Sequence, residues 1–309
     1  MHMPTHIIEP QHAGKRIDAF LAEELAISRG IIQKHIKTGD ILVNSKACKP
    51  NHRLESGDSV FIPDMTIKPK TAVSPQKIHQ LHILFENDDV LVINKPAGLI
   101  VHPQDETSQE PTLVTALLAH DPAIAHVGEN PLRPGIVHRL DKDVSGVMVI
   151  AKTQEAFNAL KEQFQHRDVY KEYITLVYGK LPKDHDIIDM KIARSKARGR
   201  MVARPNSQEG KEAKTEYNVT QRFKNHTLAH VILHTGRTHQ IRVHFRAIDH
   251  PIVGDKLYKK TYMKHIRPIP LDRIFLHAYE LRFRLLDGTE QTFTDPLPES
   301  LTELLTHLD

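Results

Sequence analysis

Near the N-terminus, apolar residues recur first at helical and then at strand spacing. Ile17, Phe20 and Leu21 make one helical stripe. Ile31, Ile32 and Ile36 make a second, with Ser28 as its N-cap and Gly39-Asp40 as its end. Ile41–Asn44 and Val60–Ile62 read as strands, with turns at Asn44-Ser45-Lys46 and Gly57-Asp58. Residues 64–77 lose apolar periodicity and carry Pro69 and Pro75 among Lys, Thr and Ser, the composition of a linker. From Ile78 onward the patterning returns. Val90–Ile93 is a strand that runs into the tight turn Pro96-Ala97-Gly98, and Thr112 caps a short helix through Ala119. Val147–Ala151 is a continuous apolar run, the pattern of a buried strand. Thr153 caps a helix whose stripe is Ala156, Phe157, Leu160 and Phe164. Tyr170–Gly179 alternates as a strand, with Tyr173, Thr175 and Val177 on one face. Strands at Ala213–Tyr217 and His230–Leu233, a helix capped by Thr238, and a helix from Pro298 with Leu301, Leu304, Leu305 and Leu308 complete the pattern.

This order predicts a small α/β domain over residues 14–63, a linker over 64–77 and a larger domain over 78–309. Strands at hairpin-like spacing, without regular βαβ alternation, make the larger domain α+β. Its sheet is expected to be mixed but mostly antiparallel, with peripheral helices.

Composition narrows the chemistry. The 309 residues include 42 Lys and Arg against 38 Asp and Glu, a formal charge of +4 that biases the chain mildly toward polyanions. The bias is local: six basic residues, Lys191, Arg194, Lys196, Arg198, Arg200 and Arg204, fall in a stretch with no acid from 190 to 208. Gly199 and Pro205 make that stretch a mobile loop or irregular hairpin, suited to clamping phosphates. Arg29, Lys34, Lys37, Lys46, Lys49 and Arg53 form a second basic cluster in the small domain. The single cysteine, Cys48, excludes an intrachain disulfide and any multi-cysteine zinc site. The 22 histidines are scattered and form no His-Glu-x-x-His, so no metal is expected. Neither a membrane-spanning apolar run nor a signal-peptide layout is found, and the expectation is a cytoplasmic protein. No P-loop, dinucleotide-binding glycine pattern or Gly-x-Ser-x-Gly occurs.

The densest chemistry lies in Gly135–Gly146, directly before the apolar strand at 147–151. Asp141, Asp143, Ser145 and Gly146 match the first half of a calcium loop, but its twelfth position is Lys152, a cation, which rejects that reading. A solvated turn and a catalytic carboxylate remain, and spacing alone does not choose between Asp141 and Asp143.

His138-Arg139-Leu140-Asp141 with Ser145-Gly146 resembles the ribosomal large subunit pseudouridine synthase family, most closely its D-like branch. Asn94-Lys95-Pro96-Ala97-Gly98, Lys171-x-Tyr173 and Gly236–His244 resemble further motifs of that family, and His250–Asp255 and Leu276-His277-Ala278 extend the likeness. The small domain is similar to the alpha-L RNA-binding domain of a small-subunit ribosomal protein. The resemblance implies conversion of uridine to pseudouridine in structured RNA, with no cofactor. The base leaves its sugar, turns and rejoins through carbon, after the nucleotide is flipped from its stack. It implies Asp141 as the essential residue, Arg242 as its ion-pair partner and Tyr173 as the aromatic partner of the base. Arg139 would wedge into the gap in the RNA. Lys95, His138, Arg194, Lys196, Arg198, Arg200, Arg29, Lys34 and Lys37 are the other expected RNA contacts. Ribosomal RNA is the expected substrate, with transfer RNA and a noncatalytic assembly role as alternatives. The chain is expected to be a monomer, since no heptad or exposed apolar stripe asks for a partner.

Overall fold

The computed structural model describes residues 5–25, 29–62, 80–103, 108, 110–195, 197, 199–259 and 269–308. Ser28, the linker at 64–77, Lys196 and Arg198 lie outside the described residues, as do the side chains of Arg29, Ile31 and Lys34. The chain divides into two compact units, Met1–Ser74 and Pro75–Asp309.

The first unit is built from β1 (Thr5–Ile7), α1 (Ile17–Glu24), α2 (Arg29–Thr38), β2 (Leu42–Val43), β3 (Lys46–Ala47) and β4 (Ser59–Phe61). Its antiparallel sheet has the order β1-β4-β2-β3. Ile17, Phe20 and Leu21 of α1 and Ile32 and Ile36 of α2 are buried against Ile41, Val43 and Val60, as their spacing predicts. Asn44 and Ser45 both take left-handed conformations, which match the twist of the β2–β3 hairpin. Asp18 is fully buried, and Arg16 and Gln33 satisfy its carboxylate at 2.6–3.1 Å. Strand β1 lies ahead of the expected boundary at residue 14. Three residues are too few to show an alternation.

The second unit carries β5 (His82–Glu86), β6 (Val90–Lys95), α3 (Leu113–His120), β7 (Ser145–Ala151), α4 (Gln154–His166), β8 (Tyr170–Tyr178) and β9 (His185–Asp189). It continues with β10 (Lys191–Arg194), β11 (Met201–Arg204), β12 (Lys214–Arg222), β13 (His226–Leu233) and α5 (Gln240–Ala247). It ends with β14 (Leu276–Arg284), β15 (Glu290–Thr294) and α6 (Glu299–Thr306). Among the described residues, nine strands form one sheet in the order β5-β6-β7-β14-β8-β13-β12-β9, with β15 added on β14. Every pairing in it is antiparallel except β7 with β14, so the sheet is mixed but mostly antiparallel, in an α+β fold.

Helices cover the sheet on both faces. Val147, Val149 and Ala151 of β7 pack with Phe157 and Leu160 of α4, while Met148 and Ile150 join a second core that includes Leu113 and Leu117 of α3 and Leu301 of α6. A strand covered on both faces reads as an unbroken apolar run, which is how 147–151 stood out. Thr153 and Thr112 cap α4 and α3 through their side chains as expected. The basic segment is a hairpin, β10–β11, rather than a mobile loop. Its Ile192, Met201 and Ala203 pack with Val243 of α5 and Tyr258. No described helix is long and apolar enough to cross a membrane.

The parallel contact between β7 and β14 is close. Gly146 lies opposite Ala278 at φ +119°, and a methyl group added there would sit 2.2 Å from the Ala278 carbonyl oxygen and 2.6 Å from its nitrogen. Neither backbone can yield without breaking the ladder that joins the two halves of the sheet. Gly146→Ala should therefore cost ~3 kcal/mol or more, measured as a lowered urea midpoint. An unchanged midpoint would mean that the β7–β14 junction is loose.

Candidate active site

Asp141 sits on the turn just before β7. Leu140 and Val144 on either side of it are buried, which drives the turn into the core edge. The amide of Val144 donates to the Asp141 carbonyl at 3.2 Å. An isolated bridge ties Ile136 to Ile150, and the Ala151 amide donates to the Gly135 carbonyl at 2.9 Å. The turn is also held from behind. Gly98 donates its amide to the Lys142 carbonyl at 2.8 Å, and the Lys95 ammonium donates to the same carbonyl at 3.1 Å.

Lys95 therefore corrects an expectation. It is fully buried, and its ammonium donates to the carbonyls of Pro96, Leu99 and Lys142 at 2.8–3.1 Å. All three of its protons are used inside the protein, so it does not reach RNA phosphate. Burial pushes its pKa down to about 7, and Arg273 adds to the effect. His138 is likewise not a phosphate contact. Its Nε2 accepts the Val149 amide at 3.1 Å, and its ring stacks on Phe164 at 4.6 Å between centroids. Burial, with Lys171 nearby, drives it down to about 3, so it is neutral and pins the segment to β7.

Arg242 enters from the first turn of α5. The N-cap is His239, in a left-handed conformation with φ +58° and without a side-chain cap, in place of the expected Thr238. Buried Gln240 does the anchoring. It accepts from the Thr235 hydroxyl and the Arg237 amide and donates to the Lys214 carbonyl and the Thr215 hydroxyl, at 2.7–3.0 Å. With the helix start fixed, Arg242 Nη1 donates to Asp141 Oδ2 at 2.8 Å. Its Nε and Nη2 donate to both oxygens of Asp255 at 2.8 and 3.0 Å. Asp255 also accepts the amides of Leu257 and Tyr258 at 2.8 and 3.0 Å, so the carboxylate that holds Arg242 is itself fixed. Burial alone would lower the Arg242 guanidinium. The two carboxylates outweigh it and raise it above its ordinary value. The Tyr258 ring lies 5.1 Å from the guanidinium, and burial pushes its hydroxyl up to about 12.

Asp141, Arg242 and Tyr173 line one cleft of about 730 Å³, together with Arg139, His239 and Leu276. Tyr173 projects from the middle of β8. Burial, and then the Asp141 charge, raise its hydroxyl well above the ordinary tyrosine value, so it is a neutral phenol at physiological pH. Arg139 is exposed and donates to Nε2 of His102 at 3.1 Å, while His102 Nδ1 lies 2.9 Å from the Pro103 carbonyl. His239 places Nε2 3.8 Å from Asp141 Oδ2 and Nδ1 2.9 Å from the Tyr258 hydroxyl. Asp143, the other carboxylate of the segment, is exposed.

Of the other expected RNA contacts, Arg194 and Lys37 are exposed. Arg200 is turned back onto the protein. It donates to the Leu257 carbonyl and lies 5.4 Å from the Tyr258 ring, so it braces the site while staying half-buried. Sequence reasoning missed Asp255, Gln240, His239 and Tyr258 as site residues. The first could have been suspected as an acid after Gly254 in a stretch already singled out. His239 and Gln240 lie in the Gly236–His244 stretch that was singled out for Arg242 alone, and Tyr258 carries no local signal. Among the described residues, no cluster of three or more His, Cys, Asp or Glu could hold a metal.

Residues 89–247 match the family model described as RNA pseudouridylate synthase, and residues 15–60 match the S4 domain. The chain is 39% identical to "Ribosomal large subunit pseudouridine synthase D" of Xanthomonas campestris, over 98% of this chain and 91% of that one. It is 44% identical to the protein of the same name from Xylella fastidiosa, over 96% and 89%. Among solved structures, "Human RNA Pseudouridylate Synthase Domain Containing 1" matches with a TM-score of 0.58 and 27% identity, over 74% of this chain and 88% of that one.

The cradle of Lys95 gives stability a pH dependence. Its ammonium titrates at about 7 in the fold and near its ordinary 10.5 when unfolded. Between those values the unfolded chain holds the extra proton, so this contribution is full above 10.5 and is lost as pH falls through 7. Urea unfolding of the wild type should gain on Lys95→Met as pH rises from 7 toward 10. A constant difference between the two proteins over that range would show that the amine titrates normally.

Proposed function

The chain belongs to the RNA pseudouridylate synthase family, and on that premise we propose that it isomerises specific uridines of large-subunit ribosomal RNA. The acting group is the Asp141 carboxylate, and the reaction needs no cofactor. The observation that carries this reading is the Arg242 guanidinium spanning Asp141 and Asp255 within the cleft that Tyr173 lines.

The arrangement fits the chemistry demanded. Attack by a carboxylate on sugar or base, and removal of a sugar proton, all require an ionised and oriented carboxylate. One guanidinium proton fixes Oδ2 of Asp141 and leaves its other oxygen, Oδ1, outside that contact. Two more hold Asp255, so Arg242 cannot swing away as a single-point lysine could. The neutral Tyr173 phenol offers a ring for the flipped base and a hydroxyl that can relay a proton. Arg139 at the exposed rim suits the gap that a flipped nucleotide leaves in the RNA. The S4 unit supplies a second RNA contact, which raises the effective concentration of the cleft on a large RNA. A ribosomal RNA substrate fits a cytoplasmic protein.

The test is a map of pseudouridines in ribosomal and transfer RNA from cells lacking the gene, complemented with wild type or Asp141→Asn. Particular large-subunit uridines should lose modification and regain it with wild type alone. Restoration by Asp141→Asn would remove Asp141 from the chemistry. A response confined to transfer RNA would move the substrate, and no response at all would favour a noncatalytic assembly factor. Purified Arg242→Lys should lose at least ~100-fold in kcat through loss of the two-carboxylate clamp. Asp255→Ala, which leaves the guanidinium with one anchor, should fall in the same direction in single-turnover assays.

A further inference from the structure

The cleft is larger than a nucleoside needs, and part of its wall is formed by α4 and the start of β8. The same cleft is lined by Arg133, Lys161, Arg167 and Lys171, and by the stacked rings of Phe164 and His138. The cations are not equivalent. Lys161 is paired with Glu129. Arg133 and Arg167 are exposed. Lys171 is only 9% exposed, on the same face of β8 as Tyr173 and two residues before it.

Among the described residues, the Lys171 ammonium meets no hydrogen-bond acceptor and no carboxylate. It lies over the Phe164 ring, 5.7 Å from the centroid. The stem of Lys171 is largely buried while its ammonium opens on the cleft, and Arg167 adds a like charge that, after burial itself, pulls its pKa down. The contrast with Lys95 is direct. That lysine is buried with three carbonyls around it, whereas Lys171 faces a cleft with none. An unmatched cation that opens on a substrate cleft is a site built for an anion supplied by the substrate.

We propose that Lys171, assisted by Arg167, binds a phosphodiester of the substrate strand beside the nucleotide whose base enters against Tyr173. This rests on the RNA-isomerase reading for its substrate and adds a contact that fixes the strand's register. Successive side chains on one strand face lie roughly 7 Å apart, which lets Lys171 hold backbone while Tyr173 meets the base. Neutral His138 and Phe164, stacked on each other, line the same cleft, with the Phe164 ring under the Lys171 ammonium.

The experiment uses the full chain and a fluorescein-labelled oligouridylate, with binding followed by anisotropy across a series of KCl concentrations. Each phosphate contact to single-stranded RNA contributes about 0.7 to the slope of log K against log salt. Lys171→Met, which keeps the aliphatic packing on Phe164, should lower the slope by about that amount, and Lys171→Arg should restore it. Arg167→Met, at an exposed position where folding is safe, should lower it in the same direction. A thermal melt of Lys171→Met should match or exceed that of wild type, because a charge set beside Arg167 without a carboxylate partner has gone. Should Lys171→Met not fold, the Arg167→Met slope decides. Slopes equal to wild type in the folded variants would overturn the proposal and leave the isomerase reading standing. Altered slopes in a protein that modifies no uridine would uphold the anion site and remove the isomerase reading instead. Methylphosphonate substitution along the oligonucleotide locates the contact: one neutralised position should weaken wild type and leave Lys171→Met unaffected.

Discussion

The site depends on one guanidinium held between two carboxylates. Arg242 is largely buried, and removing one partner from a buried ion pair costs ~3–5 kcal/mol because the other charge is stranded. Asp255 is what makes the arrangement tolerable. It takes two bonds from Arg242 and two from backbone amides, so its charge is satisfied before Asp141 is counted. Asp141 can then be aimed by Arg242 without also having to neutralise it. The carboxylate that lines the cleft and the carboxylate that holds the guanidinium are separate groups.

That division requires three remote segments to meet within hydrogen-bonding distance: the turn before β7, the start of α5 and the turn at 252–258. The sheet supplies the meeting point. β7 and β8 flank β14 on either side, and Ala278 of β14 pairs with Gly146 of one and Tyr173 of the other, so the Asp141 turn and Tyr173 lie at neighbouring levels of the same three-stranded patch. The Lys95 cradle closes the turn from behind, and Gln240 ties α5 to β12. Each tie uses a polar side chain in a buried place with its hydrogen bonds met. Such interactions add rigidity where hydrophobic packing alone would leave slack.

Sequence pattern revealed what is local. The run Val147–Ala151, the stripe of α4, the caps Thr112 and Thr153 and the leucines of α6 follow from spacing, because neighbours along the chain decide them. Family resemblance, not spacing, separated Asp141 from Asp143, and the structure gives the physical distinction: one faces Arg242 and the other faces solvent. What stayed hidden depends on partners far away. Lys95 looks like a surface lysine until the carbonyl of Lys142, 47 positions on, is folded over it. Asp255 is an unremarkable acid until Arg242 reaches it. β9, with His185, Asp186 and Asp189 among its five residues, and β15, with exposed residues at alternate positions, lack the apolar signal that marks β7. The three-residue β1 is too short for any periodicity.

The parallel pairing of β7 with β14 also sets an order of events during synthesis. The strand beside the Asp141 turn cannot complete its ladder until Leu276–Ala278 has been made, more than a hundred residues later. The Arg242 and Asp255 segments also emerge after β7 and β8. The first unit, by contrast, closes its core from residues 8 to 62 alone. A chain emerging from its N-terminus therefore presents a folded RNA-binding module long before it has a working cleft. Nascent copies can engage RNA without modifying it, and competence arrives only when the last strands are in place.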